Sequence, residues 1–166
     1  MDIKVFANGT LAWGGRTIRC ALGRGGVTGT KREGDGATPA GCFLLRQVLY
    51  RPDRLAPPAV YLPARPLEAA DGWCDDAADA AYNRPVRRPF AARHETLWRA
   101  DGLYDLLAVI GYNDAPPLPG LGSAIFLHVA APGYAPTEGC VALALPDLSE
   151  ILTAWRPDWR LVIDPA

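Results

Sequence analysis

No stretch of the 166 residues reaches the roughly 18 uninterrupted apolar positions that a membrane-spanning helix needs, so no membrane span is expected. The opening residues, Met1 to Trp13, lack a charged leader, an apolar leader core and a small-residue cleavage site. That points to a cytoplasmic protein, or to a periplasmic one if a leader has been trimmed away. An excess of one charge is missing too: 17 Lys and Arg face 18 Asp and Glu, scattered along the chain, for a formal net charge of -1. Nucleic acid is therefore not the expected partner, because phosphate neutralisation wants a basic patch. The four cysteines, Cys20, Cys42, Cys74 and Cys140, include no C-x-x-C pair, so no structural zinc site is expected.

What is there suits an ordinary folded chain. Hydrophobic residues make up 49% and charged residues 21%, enough for one domain over residues 1–166 with its own core and no need of disulfides. Two alternating runs around Asn8-Gly9 predict a β-hairpin, and "RTIRCAL" puts Ile18, Cys20 and Leu22 on one further strand face. "GCFLLRQVLYR", "LYDLLAVIGYN", "SAIFLHVA" and "WRLVIDPA" read as strands. "LPDLSEILTAW" reads as a helix, with Pro146 in its first turn and Leu148, Ile151, Leu152 and Trp155 on one side. Between Pro52 and Pro89 the expectation is a long irregular excursion. The fold class is mainly β, with one or two short helices.

A cysteine attacks as its thiolate, so a catalytic cysteine needs a base within reach and donors for the oxyanion that follows. His128 precedes Cys140 by 12 positions, with Pro132, Gly133 and Pro136 between them to fold the chain back. That spacing suits either a Cys–His dyad or two satisfied core residues. Gly139 lets the backbone approach a substrate closely and present amide N–H groups.

Two separated motifs bear on this choice. Gly34-Asp35-Gly36-Ala37-Thr38-Pro39-Ala40-Gly41 leads into a strand, and His128 is followed by Thr137-Glu138-Gly139-Cys140-Val141. Together they resemble the YkuD-type L,D-transpeptidase catalytic domain over nearly the whole chain. The resemblance implies a YkuD-like β-sandwich or barrel, with Cys140 as nucleophile and His128 as base and later acid. It makes the N–H groups of Gly139 and Cys140 the oxyanion donors and requires no metal or organic cofactor. The implied partner is a peptidoglycan stem peptide or muropeptide, cleaved between meso-diaminopimelate and D-Ala through an acyl-enzyme. Passing the acyl group to an amine gives a crosslink; passing it to water gives a shortened peptide. For a cytoplasmic chain the second outcome, an L,D-carboxypeptidase in murein recycling, is the expected one. A crosslinking transpeptidase and a non-catalytic binder of peptidoglycan fragments are the alternatives.

The chain departs from the family pattern at two positions. Glu138 stands where the family has a second histidine, and Ala142 where an arginine or asparagine is common. Glu138, beside Thr137, either contacts a substrate ammonium or caps the local turn. Arg84, Arg87, Arg88, Arg93 and Arg99 are candidates for a substrate carboxylate, Arg99 being preferred, and Tyr112 is a further candidate cleft residue. Cys42 reads as a core thiol, and Cys74 as a thiol blunted by Asp75 and Asp76. His94 reads as a surface residue, and Asp71, Asp75, Asp76 and Asp79 as a solvated acidic turn rather than a calcium loop.

Overall fold

The computed structural model describes residues 1–165. Asn8-Gly9 turns strand β1 (Asp2–Phe6) into β2 (Thr10–Trp13), which pairs with β3 (Arg16–Arg19). Two short strands, β4 (Val27–Thr28) and β5 (Thr38–Pro39), pair with each other around the Gly-Asp motif. Then come the long β6 (Gly41–Tyr50), β7 (Ala64–Pro66), β8 (Asp71–Cys74), β9 (Pro85–Arg87) and β10 (His94–Thr96). The chain continues through β11 (Leu106–Ile110), β12 (Phe126–Val129), β13 (Val141–Leu143), helix α1 (Leu145–Ala154) and β14 (Arg160–Asp164).

The main sheet runs β13-β12-β11-β6-β14-β1-β2-β3, with β7 added alongside β6. Its two ends nearly meet. Just past β3, Ala21 exchanges both backbone hydrogen bonds with Ala142 of β13, at 2.8 and 2.9 Å, and Gly23 bridges to Thr137. The result is a nearly closed barrel with one short helix, as the sequence led one to expect. Closure matters physically because it leaves few unpaired strand edges.

Strand β11, "LLAVI", is buried at every position. Its alternate residues enter two cores. Leu106, Ala108 and Ile110 face the barrel interior with Ile3, Val5, Leu127 and Val141; α1 adds Leu148, Ile151 and Leu152 there, and Trp155, which caps it, joins them. Leu107 and Val109 face the other way, into a second core with Phe126, Trp73, Tyr104 and Cys140. A strand covered on both faces loses the polar alternation of a half-exposed one, which is why it reads as a continuous apolar run.

The cover on that second face comes from the segment expected to be irregular. Here the structure corrects the sequence reading: β7, β8 and β9 fall within Pro52–Pro89, and β8 and β9 join β10, just beyond it, in a separate three-stranded sheet. Asp71 opens it, and is not a solvated acid. Its side chain is 5% exposed and held by Arg65 at 2.8 Å, Arg87 at 3.1 Å and the Glu68 N–H at 2.7 Å. Burial alone would raise this carboxyl, but those donors hold it below the usual carboxylate range. Asn83, buried and with φ of 55°, fastens the small sheet to the body. Its Oδ1 accepts from Trp73 Nε1 at 2.9 Å and Ala124 N–H at 3.1 Å, while its Nδ2 donates to the carbonyls of Tyr112 and Asn113.

Cys42 is the other correction. It lies on the exposed face of β6, opposite Val162 of β14. Phe43 and Leu45, not Cys42 and Leu44, pack against the barrel core.

Candidate active site

Strand β13 runs parallel to β12, with Leu127 opposite Val141 and His128 opposite Ala142. A parallel partner must be reached by a crossover, here residues 130 to 140, which includes a short 3-10 turn at Pro132–Tyr134. Cys140 therefore enters beside Phe126 at the start of β12, and the Phe126 N–H donates to its Sγ at 3.3 Å. Side chains alternate, so the positions of Phe126, His128 and Cys140 share the second-core side of the sheet. Cys140 and His128 both line one cleft of about 510 Å³.

The Gly-Asp motif builds the floor under the cysteine. Thr38 is fully buried; its Oγ1 accepts from Gly23 N–H at 2.8 Å and donates to the Cys140 carbonyl at 3.5 Å. Asp35 ties its own loop together through Lys31 Nζ at 2.5 Å and the N–H groups of Arg32 and Ala37. Gly139, at φ of 131°, passes so close to this loop that a Cβ there would meet the Ala37 carbonyl oxygen at 2.8 Å. Only glycine fits. The two sequence motifs are thus one unit in space.

The resting thiol and imidazole are both neutral. Burial, reinforced by Glu95, pushes the Cys140 thiol up to about 12, against the opposing pull of the Phe126 N–H. Sγ donates its proton to the Ala124 carbonyl at 3.3 Å. Ala124 itself has φ of 54°, an unusual backbone for an alanine, held by its N–H bond to Asn83. Burial likewise pushes His128 down to about 4. Its Nδ1 lies 2.8 Å from the Val129 carbonyl oxygen, which can only accept. Nδ1 therefore carries the proton, and Nε2 keeps its lone pair. Tyr104 packs edge-on against this ring at 5.2 Å and donates its hydroxyl to Glu95. Among the described residues, no hydrogen bond joins Cys140 to His128 in this state.

The remaining sequence candidates separate clearly. Arg93 and Arg99 line the cleft, whereas Arg84, Arg87 and Arg88 do not. Arg99 pairs with Asp101 at 2.5 Å and lies 5.1 Å over the Tyr104 ring. Thr137 caps the turn: its hydroxyl accepts from Gly139 N–H at 3.2 Å and donates to the Cys140 carbonyl at 2.7 Å. The Gly139 amide is thereby engaged, while the Cys140 amide donates to no protein group among the described residues. Glu138, on the rim, pairs with Arg24 at 3.0 Å. Tyr112 is not brought to the cleft; its ring packs on Phe43 and its hydroxyl bonds the Leu121 carbonyl at 2.5 Å. His94 also stays outside, against Phe90 and the Ala92 carbonyl. Cys74 is fully buried, and burial, more than its acidic neighbours, raises its pKa.

Sequence reasoning missed Lys31, Glu33, Glu95, Tyr104 and Ser123, all of which line the cleft. Lys31 and Glu33 stand beside the Gly-Asp motif, so their neighbourhood was visible; the other three carry no local signal. No helix among the described residues is long and apolar enough to cross a membrane. No curated protein and no solved structure matches the chain. The model of the YkuD family, L,D-transpeptidase catalytic domain, matches residues 2–163, and with that match the chain belongs to this family of peptidoglycan-acting enzymes.

Proposed function

We propose that the cleft is a thiol-dependent acyl-transfer site that cleaves the meso-diaminopimelate–D-Ala bond of peptidoglycan stem peptides and hands the acyl group to water. The observation that carries this reading is that Cys140 and His128 open onto one cleft from adjacent strands, with Nε2 of the imidazole unprotonated. Substrate displaces the Sγ–H from the Ala124 carbonyl. Sulfur then attacks the scissile carbonyl carbon as the thiol proton passes to Nε2. The Cys140 N–H is the donor available to the oxyanion, since that of Gly139 is engaged by Thr137. Imidazolium returns the proton to the leaving amine of D-Ala, which leaves a thioester. Water attacks that thioester with His128 again taking the proton, and the shortened peptide departs with the thiol restored.

Arg99 and Arg93, the two cleft arginines, are the groups suited to a terminal carboxylate. Water as acceptor goes with a cytoplasmic location, which is part of the proposal. Incubation with a tetrapeptide should release free D-Ala and tripeptide, and Cys140→Ala should abolish that release while Cys42→Ala retains it. No release and no acyl adduct on Cys140 would sink the assignment. Adding a D-amino acid acceptor tests the transfer alternative, because exchange product in place of tripeptide marks a transpeptidase. Labelling by a carbapenem separates either enzyme from a mere binder.

A further inference from the structure

Four carboxylates line the cleft: Glu33, Asp75, Glu95 and Glu138. Three have cations beside them. Asp75 is bonded by Arg93 at 3.0 Å, Glu138 by Arg24 at 3.0 Å, and Glu95 lies 3.9 Å from Arg99. Glu33 is different. Among the described residues it forms no salt bridge, and it is held by neutral groups only.

Those groups are well placed. The Tyr82 and Ser123 hydroxyls both donate to Oε2 of Glu33, at 2.5 and 2.7 Å. Tyr82 is 3% exposed and Ser123 8%. The Tyr82 oxygen in turn accepts the Gly122 N–H at 2.9 Å, which aligns its own proton toward the carboxylate. At the other end, the Glu33 N–H is fixed by the Gly120 carbonyl at 2.9 Å. Two buried hydroxyls thus orient one oxygen, and among the described residues Oε1 has no protein donor. A carboxylate fixed this way presents its second oxygen as an acceptor. Its chemical complement is a cation with donors of its own. No three His, Cys, Asp or Glu side chains among the described residues are grouped to hold a metal ion, so a lone carboxylate of this kind suits an organic cation.

We infer that Glu33 is a specificity-determining residue that receives a primary ammonium on the side chain of the peptide being cleaved. This rests on reading the cleft as a peptide-cleaving site. A charge-assisted hydrogen bond is worth enough for a preference of about tenfold or more for the charged peptide.

The test uses two tetrapeptides ending in D-Ala that differ only in a free or an acetylated side-chain amine on the third residue. With no amine acceptor present, D-Ala release reports the donor peptide alone. The wild-type protein should favour the free amine by about tenfold or more in kcat/KM, expressed in KM. Glu33→Gln, which can still accept from both hydroxyls, should bring that ratio close to one, whereas Glu138→Gln should leave it in place. Equal loss on both peptides in Glu33→Gln would reduce Glu33 to a structural residue and overturn the inference. If the wild-type protein cleaves neither peptide, the cleavage reading has failed by itself, and calorimetric binding of the same pair decides the subsite. A preference present in wild type and absent in Glu33→Gln supports it; equal binding of the two peptides by wild type overturns it.

Discussion

The proposed mechanism makes Cys140 the nucleophile and His128 the base, and the titration of both side chains can be tested directly. With His128 pushed down to about 4 and Nε2 unprotonated above that, the acid limb of kcat/KM should lie nearer pH 4 than the ordinary histidine value. The same shift couples to folding. As pH falls from about 6.5 to about 4, the unfolded chain takes up the His128 proton before the folded one does, so stability is lost across that window. On the alkaline side the sign reverses. Cys20 and Cys140 are both held up to about 12 from an ordinary value of 9.0, so unfolding releases their protons and the fold weakens as pH rises between those values. Thermal melts should trace the acid limb between pH 6.5 and about 4 and the onset of the alkaline limb above pH 9.0. Exposure gives a separate expectation for the thiols. Iodoacetamide at neutral pH should modify exposed Cys42 well before Cys140, as read by peptide mass spectrometry. Faster labelling of Cys140 would mean that its thiolate is far more populated than burial implies.

At the scale of elements, the long alternating strands and the single helix were legible because their periods run over enough residues to show. The three-stranded sheet was not. Its strands are three or four residues long, too short for a period, and what stabilises them is a distant contact: Asn83 on Ala124, and Trp73 on Phe126 with ring centroids 5.2 Å apart. The chemistry shows the same division. His128 and the Cys140 turn stood out in one short stretch, whereas Glu95 and Tyr104 join the cleft only when the small sheet docks. Cys42 was mis-sided because the phase of β6 is set by its pairing with β14, which the strand's own residues do not encode. Two substitutions probe the docking. Asn83→Ala strands two buried donors and two carbonyls and should cost at least about 2 kcal/mol in urea unfolding. Asp71→Ala removes the buried carboxylate shared by Arg65, Arg87 and the Glu68 N–H; since both arginines reach solvent, it should cost about 1–3 kcal/mol by the same measurement.

Across the whole molecule, the barrel brings residues far apart in the chain into one unit: Gly23, Thr38 and Cys140 meet through a single buried hydroxyl. The helix fills the barrel interior with Leu148, Ile151 and Leu152, each fully buried, so Leu148→Ala should destabilise by about 2–5 kcal/mol in thermal or urea melts. The parallel pairing of β12 with β13 carries a consequence of another sort. The crossover that joins them leaves at one end of the pair and returns at the other, and it is anchored at both: Ala130 N–H bonds the Leu143 carbonyl, and Thr137 is bridged to Gly23. An added or lost residue is therefore tolerated best between those anchors, from Ala131 to Pro136, while a one-residue slip in the ladder would turn the sulfur away from the cleft into the opposite core.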